Sequence, residues 1–289
     1  MITSTVAVSA AAAIAERRAR RPGASIFAGR AHAPIMRNAY ALRTTNALTF
    51  LTGFVEPVIF LVAFGYGVGG LIGSVEVNGV EVSYAAFIAP ALLASSAMSG
   101  ALMDATFNVF FKMHYMRIYQ TMMSTSLGSF DVALGEIGWA MLRGAAYAVG
   151  FTVVVGLAGL LTSWWALLMI PAAILIAFAF ASIGMTITSY MRSFHQLNWL
   201  NFFLLPLFLF SGTFFPITLY PEWLQSIIMV TPLWQAIAMT RSLAFGIFDG
   251  ALVVHTDASV QNTPTAYFLV LAAVGLVLTS RRLEALFLR

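Results

Sequence analysis

Two ionisable side chains sit where an ion is costly. Glu56 lies beside Pro57 inside an apolar run, and Arg241 lies in a largely apolar segment near the end of the chain. A charged group at membrane depth must face protein, a cavity or a partner, so each is a candidate pathway residue. Glu56 could face a substrate path or pair with another polar group, and both readings stay open. Arg241 reaches Glu56 only if its segment dips deep enough. A third group, Tyr119, Gln120, Thr121, Met122, Met123 and Leu127, forms an amphipathic stretch in the polar region between two apolar runs. It reads either as an ordinary loop helix or as a docking helix for a partner in the cytoplasm.

Other chemistries find little support. The single lysine, Lys112, follows Phe111, so there is no GxxxxGK[ST] phosphate loop and no nucleotide site of that kind on this chain. No HExxH or GxSxG is present, and His32, His114, His195 and His255 fall in separate segments. With no cysteine there is no thiolate metal site and no thiol nucleophile. The expectation is a chain with no catalytic residues, no metal and no cofactor of its own. Gly65, Gly67 and Gly70 match GxGxxG, but a dinucleotide site needs a strand before it and a βαβ unit around it. The four-residue spacing of Gly65, Gly69 and Gly73 reads instead as helix packing.

The elements that must position these residues are membrane helices. Of 289 residues 60% are hydrophobic and only 9% charged, against about 25% charged in a soluble domain. Taking about 20 apolar residues as one crossing, the sequence divides into six spans at 47–71, 84–103, 140–161, 166–191, 198–221 and 266–280. Residues 30–44 read as an amphipathic interface helix with Ile35, Ala39 and Leu42 on one face and Arg37 and Asn38 elsewhere. Residues 104–136 read as a polar connection.

In the fifth span Pro206 interrupts the run, and Ser211, Gly212, Thr213 and Pro216 break up its end. Freed backbone groups at that depth must be satisfied by protein, which points to a helix bundle or a protein-lined cavity. Phe202, Phe203, Phe208 and Phe210 on this span suit acyl chains or sugar faces, and equally plain lipid contact. Residues 221–245 form two apolar halves, each too short to cross, separated by Thr231 and Pro232. A re-entrant helix pair satisfies that pattern. The fold class is therefore an all-α membrane protein: six transmembrane helices, an N-terminal interface helix, and a re-entrant helix pair between spans five and six.

Charge sets the orientation. All of the fifteen Lys and Arg except Arg241 lie in the N-terminal segment, the connection after span two with Arg143 at its end, the turn after span four, and the C-terminus. Six crossings put both termini on one side, and the positive-inside rule makes that side cytoplasmic. The excess of basic residues is thus assigned to membrane orientation and not to nucleic acid. Residues 6–15 are small and apolar, but Arg17, Arg18, Arg20 and Arg21 follow the run and none precedes it, against the order of a secretory signal. An Arg- and Ala-rich organellar transit peptide is the alternative to a disordered cytoplasmic tail. The expected division is a disordered cytoplasmic tail over 1–29 and a membrane domain over 30–289.

Four pieces in order resemble the ABC-2 type permeases, and within them the NodJ-like lipooligosaccharide exporters. They are EPVIFLVAFGYGVG at 56–69, YQTMMSTSLGSFDVALGEIGWA at 119–140, FLFSGTFFPITLYPEWLQ at 208–225 and TPLWQAIAMTRSL at 231–243. The resemblance covers about 37–248. Ser126 departs from it where the family often has proline, and the long N-terminal segment lies outside it. It implies a permease in the bacterial plasma membrane that works as a dimer, with itself or a sister permease, and with two cytoplasmic P-loop ATPase subunits that carry ATP and Mg. It implies that 119–127 is the coupling helix in the ATPase groove, that 192–196 is a smaller contact, and that 221–243 is an external re-entrant pair. The implied substrate is a lipooligosaccharide or glycolipid exported from the cytoplasm. A drug or polyketide permease of the same machinery is the alternative. An ion-coupled secondary transporter would show interrupted helices and polar sites in matching halves, and Glu56 has no acidic counterpart in spans four to six. A membrane-embedded transferase would need acids or histidines clustered at one interface.

Overall fold

The computed structural model describes residues 27–43, 55–77, 80–125, 127–160, 164–245 and 263–287. Residues 1–26 of the expected 1–29 tail, the first part of span one, Ser126 and the polar segment 246–262 lie outside the described residues.

The first helix, α1 (His32–Arg43), is the expected interface helix. The first span, α2 (Val55–Ile72), passes through a π-helical stretch. It ends at Gly73, whose φ of 77° turns the chain. A short hairpin follows, β1 (Ser74–Val77) paired antiparallel with β2 (Val80–Ser83), Val75 opposite Val82. No strand was anticipated here. Of the three spaced glycines, Gly65 and Gly69 do pack, against Ala85 and Tyr84, while Gly73 serves the turn.

The Ser83 side chain caps the next helix by accepting from the Ala86 N–H, satisfying one of the orphan donors of a helix start. That helix, α3 (Tyr84–His114), runs 31 residues with a π turn at Asp104–Asn108. A short helix α4 (Ile118–Met123) and a long one, α5 (Ser129–Leu157), come next. The polar stretch 104–136 is thus mostly helix and not a connection. Apart from Arg117 in the turn before α4, its charged residues are carried on the ends of spans two and three, because side chains that pair inward do not interrupt a helix.

A 3-10 turn leads into α6 (Met169–Tyr190). Then come α7 (His195–Leu209), the bent pair α8 (Glu222–Val230) and α9 (Pro232–Ala244), and α10 (Thr263–Phe287). Among the described residues five helices are long and apolar enough to cross: α2, α3, α5, α6 and α10, with α6 counted from Ala166 and α10 from Pro264. At 15 residues α7 is about 22 Å long, short of a full crossing. Span six extends well beyond the expected 266–280. The α8–α9 pair bends by 84°, as a re-entrant pair must.

The core forms around α6, which packs against α3, α5 and α10. Apolar surface gives little drive to associate in lipid, so close backbone approach and polar contacts between helices carry the packing. Gly275 on α10 meets Ser182 so closely that a Cβ there would lie 2.7 Å from the Ser182 Cβ. Beside it the Thr186 hydroxyl donates to the Gly275 carbonyl at 2.9 Å. The α3 helix is the most enclosed, with nearly all of 84–102 buried. By contrast α2 and α7 turn large apolar side chains outward: Ile59, Val62, Tyr66 and Leu71 on one, Trp199, Phe202 and Phe203 on the other.

Candidate coupling site

Four-residue spacing on α3 puts Asp104, Asn108 and Lys112 in one stripe. The α5 helix answers with Glu136 and Arg143, two helical turns apart. The facing charges pair: Lys112 Nζ lies 2.6 Å from Glu136 Oε2, and Arg143 Nη1 lies 2.8 Å from Asp104 Oδ1. Asn108 also donates to Asp104. Both carboxylates are buried, and buried ions persist only when paired and hydrogen-bonded.

The network extends to α1. Asn38 Nδ2 donates to Glu136 Oε2 at 3.1 Å, while its Oδ1 accepts from Lys112 at 3.1 Å and from Arg37 Nη2 at 2.8 Å. Asn38 is therefore buried on the packed side of α1, while Ala39 of the expected apolar face is exposed. The close seat needs Gly135, where a Cβ would fall 2.7 Å from the Ala31 carbonyl oxygen and from Pro34. Asp131, in the first turn of α5, accepts from the N–H groups of Ala28 at 2.6 Å, Arg30 at 2.9 Å and Gly128 at 3.0 Å. One carboxylate thus ties the chain entering α1 to the start of α5.

Against this assembly sits α4, which divides the docking candidates in two. Tyr119, Met122 and Met123 are buried against Met113, Val132, Ile137, Met185 and Leu283, with Leu127 half-buried beside them. Gln120 and Thr121 are exposed. The surface α4 offers a partner is therefore polar, and its apolar side is the seat. A six-residue helix is too short for its buried face to be read from periodicity alone.

Tyr119 reaches the ionic network. Its hydroxyl is fully buried without a hydrogen-bond partner, as are Glu136 Oε1 and Arg37 Nη1. Burial pushes its phenol well above the ordinary value, Glu136 and Asp104 adding to the rise and Arg37 opposing it.

At the hairpin end of the bundle Arg241 on α9 stands among carbonyls. Its Nη2 donates to Gly212 O at 2.7 Å and Thr213 O at 3.2 Å, and its Nε to Phe87 O at 3.4 Å. Its guanidinium lies 3.9 Å above the Phe87 ring. It holds the broken end of α7, where Gly212 turns with φ 74°. Tyr84 adds a hydrogen bond to Phe214 O at 3.0 Å.

Glu56 is not part of this. It is exposed on α2, about 20 Å of helix away from Gly69, which packs on Tyr84 near Arg241. The two intramembrane candidates are not brought together. Phe208 packs toward the bundle on Phe60 and Phe214, whereas Phe203 and Phe210 are exposed. The Asp104–Arg143 and Lys112–Glu136 pairs were missed as a site. Their signal is the four-residue recurrence of Asp104, Asn108 and Lys112, which the expected polar connection over 104–136 hides.

Comparison with known proteins agrees with the architecture. The model of the ABC-2 type transporter family matches residues 33–245, from α1 through α9. Nodulation protein J of Rhizobium leguminosarum bv. viciae is 31% identical over 212 residues, covering 73% of this chain and 80% of that protein. Nodulation protein J of Sinorhizobium fredii is 28% identical over 243 residues, covering 83% of this chain and 90% of that protein.

Proposed function

The chain belongs to the ABC-2 type transporter family, and from that premise we propose that it is the permease subunit of an ATP-driven exporter of a lipid-linked or amphipathic substrate, such as a lipooligosaccharide or glycolipid. In this reading it is a multi-pass protein of the bacterial plasma membrane with both termini in the cytoplasm. Its partners are a separate P-loop ATPase, which carries ATP and Mg, and a second permease copy or sister permease.

The observation that carries this reading is the similarity to Nodulation protein J over most of both chains. The seat of α4 supports it mechanically. A short helix with an apolar side fixed to spans two, three, four and six, and a polar side turned outward, can pass a push from a soluble partner into the bundle. Motion of α4 would act on Tyr119, and through it on the ion pairs that join α3 to α5 and the Asn38 hydrogen bonds that add α1. The outward apolar faces of α2 and α7 are then the surfaces left for lipid and for the second permease.

Purification from the native membrane tests the function. The expected result is a P-loop ATPase recovered in equal amount, with nucleotide hydrolysis and bound amphipathic lipid in the same complex. A chain that purifies alone, with no nucleotide-hydrolysing partner, would remove the exporter reading.

A further inference from the structure

A cleft of about 410 Å³ opens at the same end of the bundle as α4, between the end of α3, the turn after α6 and the last turns of α10. Arg117, Arg192 and Arg282 come to it from these three separate elements, and no carboxylate lines it among the described residues. Arg117 and Arg192 are exposed and have no acidic partner among the described residues. Arg282 lies with its guanidinium 4.5 Å above the Tyr190 ring, and its Nε is buried with no hydrogen-bond partner. Stacking on a ring fixes the guanidinium plane while leaving N–H donors at its edge, the arrangement that suits a bidentate phosphate contact. A buried N–H of a cation calls for an acceptor.

Arg117 carries a second mark. It holds φ at 50°, the one positive value outside glycine among the described residues. A bulky side chain in the left-handed region is strained. That strain turns the chain from α3 to α4 and sets Arg117 on the rim of the cleft. The remaining lining is partly apolar, with Met113 and Leu286 beside the arginines. Three cations over an apolar floor, at the end of three membrane helices, match a lipid headgroup better than a freely soluble anion.

We propose that this cleft binds the phosphate of an anionic phospholipid headgroup, held by Arg117, Arg192 and Arg282, with its glycerol and upper acyl carbons on Met113 and Leu286. The proposal draws on the exporter reading only for the leaflet, which is the cytoplasmic one. A phosphate locked there would tie the segment leading into α4 to the ends of α6 and α10, making the seat of the coupling helix sensitive to membrane composition.

The test uses the full-length chain, purified without an ATPase, in nanodiscs of phosphatidylcholine with a rising fraction of phosphatidylglycerol. The readout is the thermal unfolding midpoint, so it does not depend on transport. The expected result is a midpoint that rises with phosphatidylglycerol and is unmoved by inorganic phosphate in phosphatidylcholine. In the double variant Arg117→Ala/Arg192→Ala the affinity for phosphatidylglycerol should fall roughly thirtyfold, from about 1 kcal/mol per arginine near an anionic surface, so the rise in midpoint should be all but lost over the same range of lipid fractions. Its midpoint in pure phosphatidylcholine should match the parent's, since neither side chain is packed. An unchanged phosphatidylglycerol response in the double variant would overturn the site. A full response to inorganic phosphate alone would overturn the lipid. A double variant that keeps its lipid response in the nanodiscs, and that no longer retains the ATPase in a separate purification from the native membrane, would overturn the lipid site and assign the arginines to an acidic surface of that partner.

Discussion

The two ends of the bundle solve the same electrostatic problem in different ways. At the hairpin end Arg241 is satisfied by three backbone carbonyls and an aromatic face, with no carboxylate in its bonds. At the basic end Lys112, Glu136, Asp104 and Arg143 pair with one another and bond to Asn38 and Asn108, with Glu136 Oε1 left buried without a partner. Carbonyls fixed in a loop and a helix give an arginine one geometry, so the first arrangement is a lock. Ion pairs between side chains of α3 and α5, one of them bridged by Asn38 of α1, can exchange partners without stranding a charge, so the second can serve as a joint. A joint belongs where α4 bears on the bundle, and a lock belongs where a broken helix must hold its shape.

The comparison breaks most sharply at Lys112. Lys112→Met leaves Glu136 buried without its cation, which should cost about 3–5 kcal/mol, read as a collapse of the thermal midpoint and of yield. Lys112→Met/Glu136→Leu should recover most of that stability while transport stays lost. Recovery of transport as well would reduce the pair to a structural element.

A charge on the seat of α4 comes next. Met122→Asp buries an unpaired carboxylate, so α4 should detach and become sensitive to protease between α3 and α5, with transport lost. Gln120→Glu should leave proteolysis unchanged and lower only ATPase retention. Arg241→Leu is expected to cost about 1–3 kcal/mol, as carbonyls lose their donor. Arg241→Lys should recover only part of it, because an ammonium cannot reproduce the planar fork.

The smallest effects concern Glu56 and Tyr119. Exposed on α2, Glu56→Gln should move stability by no more than about 0.5 kcal/mol. A transport defect at unchanged midpoint would make it a pathway residue, and normal transport a bystander. For Tyr119 the raised phenol pKa means the folded state keeps a proton the unfolded chain releases above its ordinary value of 10.0. Stability should therefore be intact below that pH and fall as pH rises beyond it. Tyr119→Phe should remove that share of the alkaline loss and otherwise change little, since its hydroxyl has no partner to lose.

Crossings were legible in the sequence because lipid demands length and apolarity, and α2, α6 and α10 follow that rule. The re-entrant pair was legible because Thr231 and Pro232 divide two halves too short to cross. The ends of α3 and α5 were not, because their charges point at each other and an apolar count reads inward-paired charges as loop. The stripe Asp104, Asn108, Lys112 held that information at four-residue spacing. The hairpin was equally present, in the alternation Val-Glu-Val before and after Asn78 and Gly79. The outward polar face of α4 was not legible at all, since only the packing of Tyr119 and Met122 against other helices decides which side faces in.

The central claim is that α4 carries the contact with a separate ATPase through its polar face. The chain contains no cysteine, so Gln120→Cys introduces a unique thiol on that face. Cross-linking with a short bifunctional reagent in native membranes, followed by identification of the attached protein, tests the claim directly. The expected result is a single adduct to a P-loop ATPase, absent when the thiol is placed at Glu56 instead. Failure of Gln120→Cys to capture any nucleotide-hydrolysing protein, in membranes where the complex is otherwise intact, would contradict it.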